Sequence, residues 1–446
     1  MSVSSKELAH KSIKSLLIRQ SVPASVGILF MTVNVLIDTV FVGRWIGSLA
    51  IAALSVVMPL TLLISSLGMG IGIGGSSVLS RALGKGNRNK ALSAFAHQLM
   101  MTFGLSSLFV IAGIFFSDEM LYAFGAQGEI TAPAKEFFFP ILFAVPLQAL
   151  CMMGNNVIRA EDKAPFAMKA MIFSALSNIL LDVVFIKIFD LGIFGAAMAT
   201  ALSYLICFLY VLWFFIYRSE LRLSPGHFNW NSKLAAEILS LSTVTFARQG
   251  VIALLAVLLN HTLFEHGGEH AVTVYGIISR MLMFALFPVL GITQGFMPVA
   301  GYNYGAENYH RVRQTIFTAI KYAGMLAIII FIVILIFAEP IVSVFTNDEL
   351  VMKDTPGALR WVFAASPIIA VQLIGAAYFQ AAGKATKALL LTLSKQGFFL
   401  IPLVLVLPQF FGIFGVWVAF PIADILSTLI TGVFLKKELA TQLKEA

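Results

Sequence analysis

Charge is what this 446-residue sequence has least of: 12% of its residues are Asp, Glu, Lys or Arg, while 59% are hydrophobic. A soluble domain carries about a quarter charged residues, so a soluble globular protein is excluded. The only two cysteines, Cys151 and Cys207, both fall in apolar spans, which excludes a disulfide framework and a metal-binding spacing. Segments of about ten residues with strict apolar/polar alternation are missing, which argues against a membrane β-barrel. No cluster of His, Asp and Ser marks a membrane enzyme. A cleavable leader is not evident either. Lys6, Lys11, Lys14 and Arg19 run directly into an apolar span, read as a retained anchor. The sequence pI of about 9.4 comes from basic residues scattered through loops and is no sign of a nucleic-acid partner.

What is present is a succession of apolar stretches, with a mean hydropathy of +0.91. Each is long enough to cross a hydrocarbon core about 30 Å thick. The pattern predicts helices over 20–43, 50–80, 90–116, 134–160, 164–188, 192–217, 237–264, 271–300, 312–338, 356–382, 386–408 and 412–435. Lys and Arg separate cleanly between the loops on the two sides. The N-terminus, the even loops and the C-terminus hold 23 of the 30, counting those at helix ends. The odd loops hold Arg44, Lys135, Lys187, Lys353 and Arg360, while Arg248 and Arg280 lie inside spans. The positive-inside rule puts both termini in the cytoplasm. The expectation is a multi-pass protein of the cell (inner or plasma) membrane, with the lipid bilayer as its solvent.

The two halves repeat. "GIGGSSVLSRALGKGN" (72–87) and "ITQGFMPVAGYNYGAEN" (292–308) bring Gly74, Gly84 and Asn87 onto Gly295, Gly305 and Asn308, an offset of 221. "GNNVIRAEDK" (154–163) and "GAAYFQAAGK" (375–384) keep that offset, and "GIFGAAMA" (192–199) matches "GIFGVWVA" (412–419) at 220. A period this long is two six-helix halves. Six is even, so the halves cross the membrane in parallel, an arrangement found in secondary transporters. The fold class expected is all-α and polytopic, with twelve transmembrane helices in two pseudo-symmetric lobes. The N-lobe is read as 1–217, the cytoplasmic linker as 218–236 and the C-lobe as 237–446.

"NNVIRAEDK" after span 4, "GIFGAAMATALS" in span 6 and "QGFMPVAGYNYGAENYHRV" ending span 8 resemble the multidrug and toxic compound extrusion (MATE) family, over nearly the whole chain. The span 8 stretch and the acidic first span look most like its DinF-like branch. The resemblance implies antiport: a lipophilic, often cationic compound goes out in exchange for H⁺ or Na⁺. No other cofactor is expected, and no enzymatic activity. The transporter is expected to act as a monomer on drug-like small molecules.

"NVLIDTVFVG" (34–43) sets Asp38 in a run, Val22–Gly43, that has no other charge. A carboxylate facing lipid there costs on the order of 2.5–3.5 kcal/mol even on lenient scales. Asn34 lies one turn before Asp38, and "SNILLDVVF" repeats the pattern with Asn178 and Asp182. Counted from the outer helix ends, Asp38, Asp182 and Thr200 lie at similar depth. Two carboxylates, an amide oxygen and a hydroxyl suit Na⁺ or a shared proton. The resemblance carries the family's N-lobe cation site onto Asp38, Asn178, Asp182 and Thr200, with Asn34 and Asn155 as network candidates. Asn155 lies nearer the cytoplasmic end. In the second half these four positions become Leu259, Phe398, Pro402 and Phe420. The set is therefore not a requirement of the fold. Its alternative reading is a structural polar network pinning spans 1 and 5. Other family members place a cation site on acids of helices 7 and 10. Here the membrane interior of span 7 has no acid before Glu265 and span 10 has none, so no such site is expected.

Arg248 and Asp424 are each about eleven residues from their cytoplasmic helix ends, which suits a buried charge pair, a substrate contact or a switching pair. Arg280 reads equally as a cavity-facing cation or a partner in a polar network. His97 and His261 read as ordinary polar positions. The 17 Met and 39 Phe serve lipid-facing and core packing, with some available to an adaptable substrate cavity. Pro23 removes a backbone hydrogen bond within span 1 and allows bending there, which the family resemblance also implies. The leading function is cation-coupled multidrug efflux by alternating access. The alternatives are a flippase or exporter of lipid-linked or polar metabolites on the same fold, and a non-transporting receptor or scaffold.

Overall fold

The computed structural model describes residues 3–443. Eleven continuous helical stretches are long and apolar enough to cross a membrane. The longest, Ser232–Gly305, is two helices joined at Gly268, whose φ of 61° is open to glycine and costly for residues with a Cβ. Twelve membrane helices result among the described residues, and none of those residues forms a strand. They are α1 (Ile13–Trp45), α2 (Ser48–Gly84), α3 (Arg88–Phe115), α4 (Thr131–Ala160), α5 (Ala164–Asp182, extended by a π-helical segment Val183–Ile188) and α6 (Gly192–Tyr217). The arms of the long stretch are α7 (232–267) and α8 (269–305). Then come α9 (Tyr309–Ser343), α10 (Glu349–Val362 and Ile369–Ala381), α11 (Ala385–Leu393, a π-helical segment Ser394–Leu400, then Ile401–Phe411) and α12 (Ile413–Thr441).

Three features depart from the predicted spans. A short helix, Ser117–Ala123, follows α3. α10 starts at Glu349, earlier than its apolar run, because the Asp348 carboxylate caps it, accepting from the amides of Leu350 at 2.9 Å and Val351 at 3.0 Å. It then breaks at Ser366–Ile368, where Pro367 cannot donate to the helix ladder. The repeat is visible in local chemistry: Asn87 caps α3 by accepting from the amide of Lys90, and Asn308 caps α9 by accepting from that of Arg311.

The chain forms two compact units. One is built on Val26–Thr245 and the other on Ala9–Ser25 with Phe246 onward. Helices α1 and α7 each pass from one unit into the other, at 25/26 and at 245/246, positions one repeat apart.

In the first unit α2 packs closely on α4. A Cβ on Gly68 would lie 2.4 Å from the carbonyl oxygen of Ala149 and 2.7 Å from its Cα, so only glycine permits this approach. The start of α7 is held by Glu237, 3.0 Å from Arg81 Nη2 and 3.0 Å from Lys90 Nζ. The segment after α6 is strapped to this unit. The Ser219 hydroxyl and the Glu220 amide, the latter at 3.2 Å, donate to the buried Glu161 carboxylate. Arg88 Nη2 donates to the Glu220 carbonyl at 2.6 Å. His97, stacked on Trp230, accepts from the Asn231 amide at 2.9 Å. His97 thus anchors the linker, while His261 is exposed.

In the second unit the first half of α1 lies against α8. A Cβ on Gly295 would sit 2.5 Å from Ser21 Oγ and 2.7 Å from its backbone nitrogen. The equivalent contact in the first unit is Gly74 on Ser242, 2.6 Å from its Oγ, so both glycine–serine crossings obey the same offset. Arg311 Nη2 donates to the Lys11 carbonyl at 2.7 Å. Glu438, buried on α12, takes Lys384, Lys387 and the Tyr378 hydroxyl.

Two outcomes are expected. Gly68→Ala pushes α2 off the α4 backbone at a cost of about 1–3 kcal/mol. The detergent-solubilised variant melts lower, whereas Gly104→Ala, with open space around it, does not. Burial pushes the Glu161 carboxyl up to about 7, above its ordinary 4.5 and against the donors that favour its charged form. The folded state then binds the extra proton, so stability falls as pH rises from about 4.5 through 7, by about 3 kcal/mol in full. The melting temperature of Glu161→Gln minus that of wild type should be more positive at pH 8 than at pH 5.

Candidate functional site

The site lies in the first unit where α1, α5 and α6 meet. Asn34 Nδ2 donates to Asn178 Oδ1 at 2.7 Å and reaches the Ala175 carbonyl at 3.4 Å. Asn178 Nδ2 in turn reaches Thr200 Oγ1 at 3.4 Å. The Thr200 hydroxyl donates to the Ala196 carbonyl at 3.1 Å, which turns its remaining lone pair toward Asn178. An amide chain therefore links three helices.

Asp38 and Asp182 sit one turn beyond Asn34 and Asn178 on their helices. Asp182 is fully buried. Neither of its oxygens has a hydrogen-bond partner, nor does Asp38 Oδ1. The two carboxylates are close enough to repel one another electrostatically. Buried polar atoms are nearly always hydrogen-bonded, and exceptions mark a function or a missing ion. Three orphaned carboxylate oxygens beside an amide and a hydroxyl form an all-oxygen set that can take a proton or a hard cation. Local backbone geometry contributes: α5 widens into its π-helical segment directly after Asp182, a distortion common at functional sites.

The set read from sequence thus gathers Asn34, Asp38, Asn178, Asp182 and Thr200. It does not gather Asn155, whose amide donates to the Cys151 carbonyl of its own helix at 3.1 Å. A second polar group in the same unit was not anticipated. Gln148 Nε2 donates to Ser65 Oγ at 2.6 Å and to the Tyr204 hydroxyl at 3.0 Å. Tyr204, one turn past Thr200, is within electrostatic reach of Asp38. A Gln and a Tyr amid apolar residues at helical spacing from Thr200 were the available signal.

The second unit corrects one expected pairing. Asp424 meets Lys395, not Arg248: Lys395 Nζ lies 2.6 Å from Asp424 Oδ1. Asp424 Oδ1 has no well-directed hydrogen bond, so the contact is an ion pair held by charge. Lys395 counts with the basic cytoplasmic loop in sequence, but the π-helical segment of α11 carries it to α12. Arg280 is exposed on α8.

The family model MatE matches twice, over residues 23–184 and 245–406, one match per repeat. Multidrug export protein MepA of Staphylococcus aureus is 25% identical over 414 residues, covering 92% of this chain and 90% of its own. MepA of Staphylococcus saprophyticus is 24% identical over 413 residues, with the same coverage. Among solved structures, one described as the outward-facing conformation of a multidrug resistance MATE family transporter superposes with a TM-score of 0.93 at 25% identity, each chain fully covered. A MATE protein in complex with MaL6 gives 0.94 at 24% identity, again over both whole chains.

The ion pair should reveal itself through non-additivity. Asp424→Leu leaves Lys395 buried without its counter-charge, costing roughly 3–5 kcal/mol, while Lys395→Met/Asp424→Leu removes both charges and recovers most of it. Thermal melting of the single and double variants checks this.

Proposed function

The chain belongs to the MatE family, and on that premise we propose that it exports lipophilic, often cationic, drug-like compounds in exchange for a cation. The observation that carries the reading is the set of orphaned oxygens on Asp38 and Asp182 inside membrane helices. A scaffold has no use for them, and the second repeat fills the same positions with apolar residues. The cation held there neutralises the carboxylates. Its departure leaves them charged, and that change biases α1, flexible at Pro23, between conformations. Coupling follows because drug and cation each favour a different conformation of one protein. The similarity to staphylococcal multidrug export proteins and to a solved multidrug resistance transporter supports this reading. We place both termini on the cytoplasmic side of the cell membrane from the Lys and Arg bias of the loops, and we take the monomer as the working unit.

The two candidate ions make different demands. A proton needs the carboxylates alone, whereas Na⁺ needs several oxygens together, so Asn178 and Thr200 would then matter nearly as much. We favour protons driving transport, with Na⁺ competing for the same oxygens. Efflux from proteoliposomes under an imposed pH gradient, and separately under a Na⁺ gradient, tests this. Asp38→Asn and Asp182→Asn should each abolish coupled efflux with expression nearly intact. Asn178→Ala and Thr200→Ala should retain much of the pH-driven flux. Wild-type efflux driven by Na⁺ alone, and lost in both of the latter variants, would instead make the four residues a Na⁺ cage.

A further inference from the structure

Where α5 begins and α6 ends, at the surface we place in the cytoplasm, the first unit carries an aromatic plate flanked by two cations. The ring centres of Phe166 and Trp213 are 6.5 Å apart. Tyr210 continues the plate at 5.6 Å from Trp213, and Phe173 at 5.1 Å from Tyr210. Lys169 Nζ sits 5.8 Å from the centre of Phe166, and Arg218 Cζ 5.7 Å from the Trp213 ring. The plate faces outward, with Phe173 46% and Trp213 38% exposed. Neither Lys169 nor Arg218 has an ion-pair or side-chain hydrogen-bond partner among the described residues.

The second repeat treats the same helix ends differently. The offset of 220 that aligns α6 with α12 sets Glu438 at the position of Arg218. That buried carboxylate takes Lys384 and Lys387, so the lysines there are neutralised. In the first repeat a cation stands in place of the acid, and both cations lean on rings instead. A cation–π contact holds the cation in place but leaves its charge uncompensated and its N–H donors available. Lone interfacial aromatics and snorkelling cations are common on membrane helices. Two uncompensated cations on one continuous plate are a concentrated positive patch. It lies at headgroup depth, since Lys169 is five residues, about 7.5 Å, into α5 and Arg218 directly follows α6.

We propose that this plate is a binding site for an anionic phospholipid of the cytoplasmic leaflet. The lipid phosphodiester sits between Lys169 and Arg218. The guanidinium offers a planar pair of N–H donors to its oxygens, and the ammonium adds a point charge. The upper part of the acyl chains lies on Phe173 and Tyr210, which are deeper along their helices. A zwitterionic lipid brings its own positive group to the two cations and is disfavoured, whereas the negative surface of the cytoplasmic leaflet supplies the matching charge. The bound lipid bridges α5 and α6, the helices that bring Asn178 to Thr200. The leaflet follows from the orientation inferred above. The lipid preference does not depend on it, because it is measured in symmetric bilayers without transport.

Trp213 is a built-in reporter, because bromine on a lipid chain quenches the fluorescence of a tryptophan beside it. The full-length protein is reconstituted in phosphatidylcholine bilayers containing increasing brominated phosphatidylglycerol or, in parallel, brominated phosphatidylcholine. Each protein is read against the same protein carrying Trp213→Phe, which isolates the Trp213 signal. The wild type should prefer phosphatidylglycerol over phosphatidylcholine at least fivefold. Lys169→Gln/Arg218→Gln should bring the two lipids within twofold of each other. Lys169→Gln alone should lower the preference several-fold, which keeps the test decisive if the double variant folds poorly. Lys233→Gln, which removes an exposed charge elsewhere in the same unit, should leave the preference unchanged. Excess glycerol 3-phosphate should not displace the brominated lipid. Equal affinity of the wild type for both lipids, or a preference that survives loss of Lys169 and Arg218, would overturn the site. So would an equal loss in Lys233→Gln, which would make the effect one of net charge, or displacement by glycerol 3-phosphate, which would make the patch a site for soluble phosphate.

Discussion

Everything in this molecule that goes beyond packing depends on one constraint: a carboxylate inside a membrane helix must have a counter-charge. Glu438 and Asp424 take lysines. Asp38 and Asp182 take none, and oxygens on both lack any hydrogen-bond partner. Burying an uncompensated carboxylate costs far more than a hydrogen bond returns. A chain that keeps two such groups side by side needs something mobile to neutralise them. The surrounding residues fit that demand. Asn34, Asn178 and Thr200 fix the positions of three helices through a chain of amide and hydroxyl contacts, and no charge is spent on it.

The two repeats share a scaffold and diverge in charge. Their common parts are mechanical: the Asn87 and Asn308 caps, and the glycine–serine crossings of Gly74 on Ser242 and Gly295 on Ser21. Each crossing involves a helix that changes unit along its length, α7 at Ser242 and α1 at Ser21. Upon that shared frame the first unit carries orphaned acids, whereas the second pairs its buried Asp424 with Lys395. Both α5 and α11 contain a π-helical segment, but at different points of the repeat: directly after Asp182 in α5, and around Lys395 in α11, ahead of the position that matches Asp182.

Much of this was legible in the sequence. Asp38, Asn178, Asp182 and Thr200 stand out because a polar residue in an apolar run needs a reason, and helix rise puts Asp38, Asp182 and Thr200 at similar depth. The spans were legible because twenty apolar residues have few other uses. Lys395 was not, although it lies nine residues inside the predicted 386–408 span. Counting it with the cytoplasmic basic residues absorbed it into a loop pattern, and the partner of Asp424 went to Arg248 instead. The π-helical segments leave no compositional mark, because one extra residue per turn alters facing without altering polarity. The kink at Gly268 is a single glycine among 34. Asn155 was grouped with the site by resemblance, and its depth rightly counted against it: its side chain bonds its own helix.

The central claim is that Asp38 and Asp182 hold a cation that the substrate displaces. The most direct measurement counts that ion. Ethidium is added to purified protein in weakly buffered detergent solution, and released protons and Na⁺ are recorded with pH- and Na⁺-sensitive dyes. The account predicts about one cation released per ethidium bound by the wild type, and none by Asp38→Asn/Asp182→Asn. Ethidium binding with no release from the wild type, or undiminished release from the double variant, would contradict it.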